Sequence, residues 1–191
     1  MLSNLLKIII SAAIVDNMVF IRYIALCSYV GVTNSIDASI GMAFAVIFVQ
    51  TIATAITWII FHLFMQGLEF LQIIVFIFTI ASLVQLVEIY LKKNVPALYK
   101  AMGIYLPLIT TNCMILAVTL INIDKNYSFI ESLVYALGTS FGYGLALLIL
   151  AGVRERLRLS NIPKFFKGYP IVFTSMALIA IAFLGFKGLI K

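Results

Sequence analysis

The segment Leu106–Val118 reads LPLITTNCMILAV and places polar residues inside a stretch that is otherwise apolar enough to cross a membrane. Pro107 lacks a backbone N–H and clashes with the preceding turn, so it interrupts a regular helix. The polar residues that follow it are Thr110, Thr111, Asn112 and Cys113. Polar groups at this depth must face protein or a cavity, because hydrocarbon offers them no partner. The segment therefore predicts a broken helix within a membrane.

The composition of the whole chain indicates an integral membrane protein. Of its 191 residues, 64% are hydrophobic and 10% are charged, whereas soluble domains are roughly half apolar and a quarter charged. We expect a single membrane domain over residues 1–191. The net charge of +6 comes from 13 Lys and Arg residues that cluster between apolar runs. These residues are interpreted as orientation signals, and nucleic acid is not expected as a partner.

Six apolar runs are long enough to cross about 30 Å of hydrocarbon as helices. They lie near Leu5–Tyr23, Ile36–Met65, Phe70–Leu91, Ala97–Ile123, Phe129–Val153 and Tyr169–Leu189. The second run is overlong, which predicts that its helix tilts or protrudes. The sequence thus predicts an all-α integral membrane protein with six transmembrane helices.

The distribution of basic residues predicts that both termini lie outside the cytoplasm, because cytoplasmic loops retain positive charge. Nine basic residues follow the first, third and fifth runs, and four lie on the opposite side. The nine are Arg22, Lys92, Lys93, Lys100, Arg154, Arg156, Arg158, Lys164 and Lys167, and the four are Lys7, Lys125, Lys187 and Lys191. The loop Gly152–Gly168 contributes most to this bias.

A weak internal repeat relates two halves of the chain, approximately 1–95 and 96–191. A shift of 95 residues lays Asp16-Asn17 on Thr111-Asn112. A shift of 94 lays Ile36–Ser39 on Ile130–Leu133. Because each half contains three runs, the second half would enter the membrane inverted, an arrangement common in membrane proteins that pass cargo. We therefore expect two inverted three-helix repeats.

The first run carries polar residues at the place that corresponds to Thr111-Asn112. They are Asp16, Asn17 and Arg22. These matched positions predict that the first and fourth helices are both broken and face each other, as at the binding sites of transporters. The alternative is that these groups join helices by hydrogen bonds. Asp16 and Glu131 are candidate ion or proton ligands, a structural role for Asp16 is equally open, and no proton relay is expected at His62.

The two cysteines, Cys27 and Cys113, are 86 positions apart and form no CxxC pair. This spacing excludes a disulfide framework and a self-contained four-cysteine metal site. A free cysteine is usually a small buried apolar residue, but Cys113 lies in the most polar part of a broken helix. An iron–sulfur centre usually takes four thiolates. Two cysteines would supply half of such a site, and a neighbouring subunit would supply the rest.

The depths of the two cysteines make a structural prediction. In a straight helix, Leu5 and Cys27 would be about 33 Å apart, so Cys27 would lie near the membrane surface while Cys113 lies deeper. A break near Asp16-Asn17, or a re-entrant path, would bring the two cysteines to the same depth.

At these residues the sequence resembles the A subunit of the Rnf complex, which is homologous to the E subunit of the sodium-translocating NADH:quinone oxidoreductase. The resemblance covers essentially the whole chain. Its most specific pieces are LPLITTNC at Leu106–Cys113, Leu26-Cys27 followed by Gly31-Val32, and RERLRLSNIPKFFKG at Arg154–Gly168.

The resemblance implies a membrane subunit of an ion-translocating ferredoxin:NAD oxidoreductase in the bacterial cytoplasmic membrane. It implies that Cys27 and Cys113 ligate one [2Fe-2S] cluster together with two cysteines of a homologous E subunit, which lies in the membrane the other way up. Further implied partners are the B, C, D and G subunits and membrane lipid. The chain would carry electrons and have no substrate-converting site of its own.

Several polar residues near the cysteines bear on this implied role. Hydrogen bonds from Asn112 and its threonine neighbours would tune the cluster potential, and Arg22 would either stabilise a negatively charged cluster or anchor the chain at the cytoplasmic surface. In the family pattern asparagine is usual at the position of Asp16, which leaves an extra charge in this chain.

Three alternatives stay open at the level of sequence. The chain could be the E subunit of the quinone reductase, or a small inverted-repeat ion transporter without a cluster. In the transporter the site would consist of Asp16, Asn17, Thr111 and Asn112. A scaffold with inert cysteines is the third alternative. The coupling ion, sodium or proton, does not follow from the sequence.

Overall fold

The computed structural model describes residues 2–64, 71–94, 108–109 and 111–185. The helices are α1 Leu2–Ile10, α2 Leu26–Val32, α3 Ile36–Phe64, α4 Gln72–Asn94, α5 Cys113–Asp124, α6 Phe129–Arg158 and α7 Tyr169–Leu184, and a π-helical turn, Ser11–Val15, continues α1. No strand occurs among these residues. The prediction of an all-α protein is confirmed for the part of the chain that the structure describes.

Helices α3 and α6 form the frame of the bundle. They contain 29 and 30 residues, so each is roughly 45 Å long and exceeds the thickness of the hydrocarbon core. Helix α6 continues past the predicted end of its apolar run at Val153, because the residues RERLR have high helix propensity. The overlong second run is thus confirmed as a long helix, and the fifth run is longer than predicted.

The two frame helices run antiparallel. Near the start of α6, the indole N–H of Trp58 on α3 donates to the Tyr127 carbonyl at 3.2 Å. Midway along, a Cβ placed on Gly144 would lie 3.2 Å from the Cβ of Ala43. Near the end of α6, Arg154 contacts the residues that precede α3. Contacts at both ends and in the middle therefore fix the register of the pair.

Two glycines of α6 allow α1 and the π-helical turn to lie directly against it. A Cβ on Gly138 would lie 3.1 Å from the Ile9 Cα and carbonyl oxygen. A Cβ on Gly142 would lie 2.6 Å from the Ala13 carbonyl oxygen. Such close backbone approach through small residues four apart is typical of membrane helix pairs. The backbone of the first segment is therefore in direct contact with the middle of α6.

Two of the described helices are long and apolar enough to cross a membrane by length and composition, Ile36–Leu63 and Phe129–Arg158. The shorter apolar helices are Leu5–Val15, Gln72–Leu86, Cys113–Asp124 and Tyr169–Leu184. The first predicted run is helical only to Val15, because the helix breaks there. Parts of the third, fourth and sixth runs lie outside the described residues. That the chain has six spans therefore stays a prediction.

Large apolar side chains cover the outer surface of the bundle. Phe44 is 70% exposed and Phe78 is 74% exposed. Exposed apolar surface of this extent requires lipid or a partner protein. In contrast, the buried residues of α6 include small and polar residues, such as Thr139 and Ser140, as well as apolar ones. This distribution fits a helix that is surrounded by protein inside a membrane bundle.

Candidate functional site

The first helix is broken where the sequence predicted. The Asp16 N–H donates to the Ser11 carbonyl at 2.7 Å and closes the π-helical turn, after which residues 16–25 follow a path of turns. The next helix, α2, begins only at Leu26. Inserted π-helical turns are frequent at functional sites. The prediction of a break near Asp16-Asn17 is confirmed.

Asn17 attaches this broken segment to α6. Its side chain is fully buried, and its amide N–H groups donate to the Ala13 carbonyl at 3.0 Å and to the Gly142 carbonyl at 2.9 Å. Its Oδ1 accepts the Val19 N–H at 2.9 Å. Because the amide is fully occupied in this way, Asn17 organises the backbone of the break and has no group left for a ligand.

The fourth helix is broken as well. Asn112 is buried and caps α5, since its Oδ1 accepts the Met114 N–H at 3.0 Å. Asn17 and Asn112, which the predicted repeat matches, each accept the backbone N–H of the residue two positions ahead. Pro107 and Thr110, which were predicted to take part in this break, lie outside the described residues.

The two breaks bring Cys27 and Cys113 together. Cys113 is the first residue of α5, and Cys27 lies in the first turn of α2. Their thiols are close enough for a direct side-chain interaction, and both residues are free and exposed. The predicted agreement in depth between the cysteines is therefore confirmed. Within the described ranges, no group of three or more Cys, His, Asp or Glu residues is arranged to hold a metal ion.

A backbone N–H is aimed at one of the two sulfurs. The Ala25 N–H donates to Cys113 Sγ at 3.2 Å. Ala25 has a φ of 68°, a left-handed conformation that costs a non-glycine residue about 1 kcal/mol or more. Strain of this kind is kept only where surrounding contacts impose it. Here the strained residue both starts α2 and directs its N–H to the sulfur.

A buried chain of hydrogen bonds supports Ala25 from the side of α6. The hydroxyl of Tyr143 donates to Ser28 Oγ at 2.8 Å, and the Ser28 hydroxyl donates to the Ala25 carbonyl at 3.1 Å. Tyr143 is 1% exposed, and the Asn112 side chain lies beside its hydroxyl. A single tyrosine therefore connects the turn before Cys27 with the residue before Cys113.

The far end of α2 is held by two arginines of α6. Arg154 donates to the Val30 carbonyl and to Thr33 Oγ1, both at 2.8 Å, and also to Asn34 Oδ1. Arg158 donates to the Asn34 carbonyl at 2.8 Å. Cations at a helix C-terminus satisfy its last carbonyls and complement the helix dipole. The helix that carries Cys27 is thus fixed at both ends to α6.

Arg22 lies away from this basic end of the bundle. Its guanidinium pairs with Asp16, at 3.0 Å between Arg22 Nη2 and Asp16 Oδ2. It also interacts electrostatically with Tyr135, which precedes Arg154 on α6 by 19 residues, or about 28 Å. The structure therefore places Arg22 in the broken segment, where it is the partner of Asp16.

The other candidate ion or proton ligands have structural partners. Glu131 accepts the Ser128 N–H at 3.0 Å and the Ser128 hydroxyl at 2.8 Å, which closes a capping box at the start of α6. His62 stacks on Trp58 with 3.8 Å between ring centroids. His62 lies in the last turn of α3.

Three features of the site were not apparent from the sequence. They are the Ala25 N–H, the hydrogen bonds of Tyr143 and Ser28, and the role of Arg154. The first depends on a backbone conformation that alanine rarely adopts, so no residue type signals it. Arg154 was interpreted as an orientation signal, and only its height on α6, opposite the end of α2, reveals its second role.

Comparisons with known proteins identify the family of the chain. Residues 5–190 match a family described as "Rnf-Nqr subunit, membrane protein". The chain is 46% identical to the A subunit of the ion-translocating oxidoreductase complex of Syntrophotalea carbinolica, over 99% of each chain. It is 46% identical to the A subunit of the Na(+)-translocating ferredoxin:NAD(+) oxidoreductase complex of Acetobacterium woodii, over 97% of this chain and 98% of that one.

A third relative is the A subunit of the proton-translocating ferredoxin:NAD(+) oxidoreductase complex of Clostridium ljungdahlii, 42% identical over 100% of both chains. The match to the family extends over the two broken helices, both cysteines and the basic segment at the end of α6. The chain belongs to the Rnf-Nqr family of membrane protein subunits.

Proposed function

We propose that the chain is the A subunit of an ion-translocating ferredoxin:NAD oxidoreductase complex and carries electrons within the bacterial cytoplasmic membrane. The observation that supports this role is the pair of free, exposed thiols that two broken helices present side by side. The relatives described above are A subunits of ion-translocating oxidoreductase complexes, which favours this assignment over the E subunit of the quinone reductase.

Cys27 and Cys113 would hold one edge of a [2Fe-2S] cluster. The donor set fits, because two neighbouring thiolates supply half of the four that such a cluster takes. Cys113 is the first residue of a 12-residue helix, and the positive end of a helix dipole favours a negatively charged group such as an iron–sulfur cluster. Both cysteines are exposed, so a partner protein can approach them. The remaining two ligands would come from the homologous E subunit.

The bound cluster would supply a one-electron carrier between the two membrane surfaces, dividing a crossing of about 30 Å of hydrocarbon into shorter steps. The chain's own residues position its ligands. The Ala25 N–H donates to Cys113 Sγ, and a hydrogen bond to a ligating sulfur raises the potential at which a cluster is reduced. Tyr143 and Arg154 hold the two ends of the helix that carries Cys27.

Two features support an arrangement of inverted three-helix repeats. The first is that Asn17 and Asn112, at the two breaks, each accept the backbone N–H of the residue two positions ahead. The second is the antiparallel packing of α3 and α6, each of which is the second helix after the break in its half. An inverted pair of halves requires that equivalent helices run in opposite directions. Six spans, with both termini outside the cytoplasm, would follow from this arrangement and from the charge bias.

The coupling ion does not follow from similarity. Relatives of comparable identity are named as sodium-translocating in one organism and proton-translocating in another. The direct partner in our proposal is the E subunit, and the B, C, D and G subunits are further members of the complex. Coupling would then depend on the whole assembly.

A transporter that binds its ion at the broken helices is the alternative function, and the geometry does not favour it. Asn17 is occupied by hydrogen bonds to the backbone, and Asp16 is paired with Arg22. Asp16→Asn is therefore expected to change ion-coupled activity of the complex by less than about two-fold, since a pair one-third exposed contributes little. Ion flux driven by ferredoxin oxidation in proteoliposomes measures the effect. A loss of coupling with intact electron flow would instead assign Asp16 to the ion path.

The test of the proposed function is co-expression with the candidate E subunit, followed by iron analysis and electron paramagnetic resonance of the reduced pair. The proposal requires two irons and a [2Fe-2S] signal per pair. An iron-free pair that moves a solute across liposomes would favour the transporter. Normal electron flux with both cysteines replaced would leave only the hypothesis of a scaffold with inert cysteines.

Arg154→Lys is expected to disturb the half-site without removing a ligand. A lysine cannot replace the planar fork that reaches Val30, Thr33 and Asn34 together, and each lost hydrogen bond to a charged group costs about 1.5–3 kcal/mol. We expect retained iron, a changed spectral line shape and a lower temperature of cluster loss.

The matched control is Arg156→Lys, because Arg156 is exposed on the same helix and makes no side-chain hydrogen bond within the described residues. If the two variants were equally close to the wild type in line shape and in the temperature of cluster loss, Arg154 would have no role in positioning Cys27.

A further inference from the structure

A cavity of about 360 Å³ lies where α6 ends, between the last turn of α6, the segment that follows it and the start of α7. Its cationic lining residues are Arg154, Arg158 and Lys167. We call this space the basic cavity. Its volume is within the range of roughly 300–1,000 Å³ that small-molecule sites occupy. From the sequence, these cations were interpreted only as an orientation signal.

All the charged residues that line the basic cavity are positive. Within the described residues, none of the residues that line it is acidic. The one ion pair in the described part of the chain joins Arg22 to Asp16, at the other end of the bundle. Arg154 and Arg158 are close enough to repel each other. Gathered cations with no carboxylate between them favour the binding of an anion.

The free donors point to a phosphate group as the anion. Arg154 and Arg158 each use part of their guanidinium on neutral acceptors in residues 30–34, and Lys167 makes no hydrogen bond or ion pair with the residues described. Ser160 and Asn161 add polar side chains to the lining. Arginine forks and a lysine ammonium are the groups that proteins use to bind phosphate oxygens.

The surroundings of the basic cavity identify the phosphate as that of a lipid. Phe165 is 90% exposed and Tyr169 is 69% exposed, and they flank Lys167 in sequence. Exposed aromatic residues interleaved with cations are typical of the membrane–water interface. Ile171 extends the lining onto α7 with an apolar side chain. The cavity therefore offers cations at headgroup level and an apolar wall towards the acyl chains.

We propose that the basic cavity is a binding site for the phosphate of an anionic phospholipid headgroup. Basic pockets between transmembrane helices on the cytoplasmic side bind anionic headgroups in this way. Because Arg154 also holds the end of α2, a lipid in the cavity would sit against the residue that fixes the helix of Cys27. This proposal stands on the cavity alone and does not require a cluster.

The test measures phosphatidylglycerol retained by the purified complex in native mass spectrometry, after reconstitution into phosphatidylcholine nanodiscs with increasing phosphatidylglycerol. Lys167→Gln is expected to weaken this retention about five-fold, and Lys167→Arg to restore it. Lys164→Gln is the matched control, because Lys164 belongs to the same segment but does not line the cavity. It should retain the lipid as the wild type does.

Three outcomes would overturn the proposal. Equal loss of retained lipid in Lys164→Gln and Lys167→Gln would indicate that the lipid responds to the overall positive charge of this surface and not to the basic cavity. Displacement of the lipid by millimolar inorganic phosphate would indicate a site for soluble phosphate. Loss of a protein subunit from Lys167→Gln, with lipid retention unchanged, would assign the cations to an acidic partner surface. Unchanged thermal unfolding of each variant in detergent verifies that the fold is intact.

Discussion

Cys113→Ser is expected to reduce the [2Fe-2S] signal of the complex with the E subunit to background. Cys113 is the first residue of α5, and its Sγ accepts the Ala25 N–H. A serine hydroxyl is a much poorer ligand for the iron of such clusters than a thiolate. Cys27→Ser is expected to give the same loss. Iron content per pair and electron paramagnetic resonance after reduction measure both variants.

The double variant provides the control for this prediction. If both cysteines serve one cluster, removing the second after the first changes nothing further, because groups that act as a unit are not additive. Ala25→Gly, which keeps the N–H and tolerates the positive φ, should retain the signal. Full signal in either single serine variant would eliminate the proposed ligands.

Gly142→Ala is expected to destabilise the protein by about 1–3 kcal/mol or more. Its new methyl group would lie 2.6 Å from the Ala13 carbonyl oxygen and 3.0 Å from the Asn17 amide nitrogen. Backbone cannot move out of the way as a flexible side chain can, so α1 and the break must shift together. We expect lower thermal stability of the complex and loss of most of its cluster, measured by unfolding in detergent and by iron content.

Gly152→Ala is the matched control on the same helix, since a Cβ there meets no atom within 4 Å. Alanine has a higher helix propensity than glycine, so this variant should be more stable by about 0.5–1 kcal/mol. Wild-type stability and iron content in Gly142→Ala would mean that the first segment does not lie against α6 as described.

The sequence was informative where a residue type conflicts with its surroundings. Asp16 and Asn17 in an apolar run predicted a break, and the helix breaks there. Asn112 and Cys113 predicted a second break, and α5 begins at Cys113 after an asparagine cap. Because amide and ionisable groups are costly in hydrocarbon, such positions can be identified from the sequence alone.

The sequence was uninformative where a role depends on approach in three dimensions. Nothing in the type of Ala25 indicates that its N–H reaches Cys113, because a tertiary constraint sets its φ. Arg154 could be recognised as basic but not as the residue that holds α2, since 120 positions separate it from Asn34. Arg22 was counted on the same side as Arg154 by its position in the chain, whereas its ion pair with Asp16 and its interaction with Tyr135 place it at the other end of the bundle.

The exposure of the paired thiols makes an unpartnered copy of this protein chemically vulnerable. Accessible thiols can be oxidised to sulfenic acid and can exchange with other disulfides. A copy synthesised in excess of its partner would therefore accumulate oxidised sulfur that no longer accepts iron. Matched production of the two proteins, and delivery of the metal before exposure to oxidants, would follow as requirements of the cell that makes them.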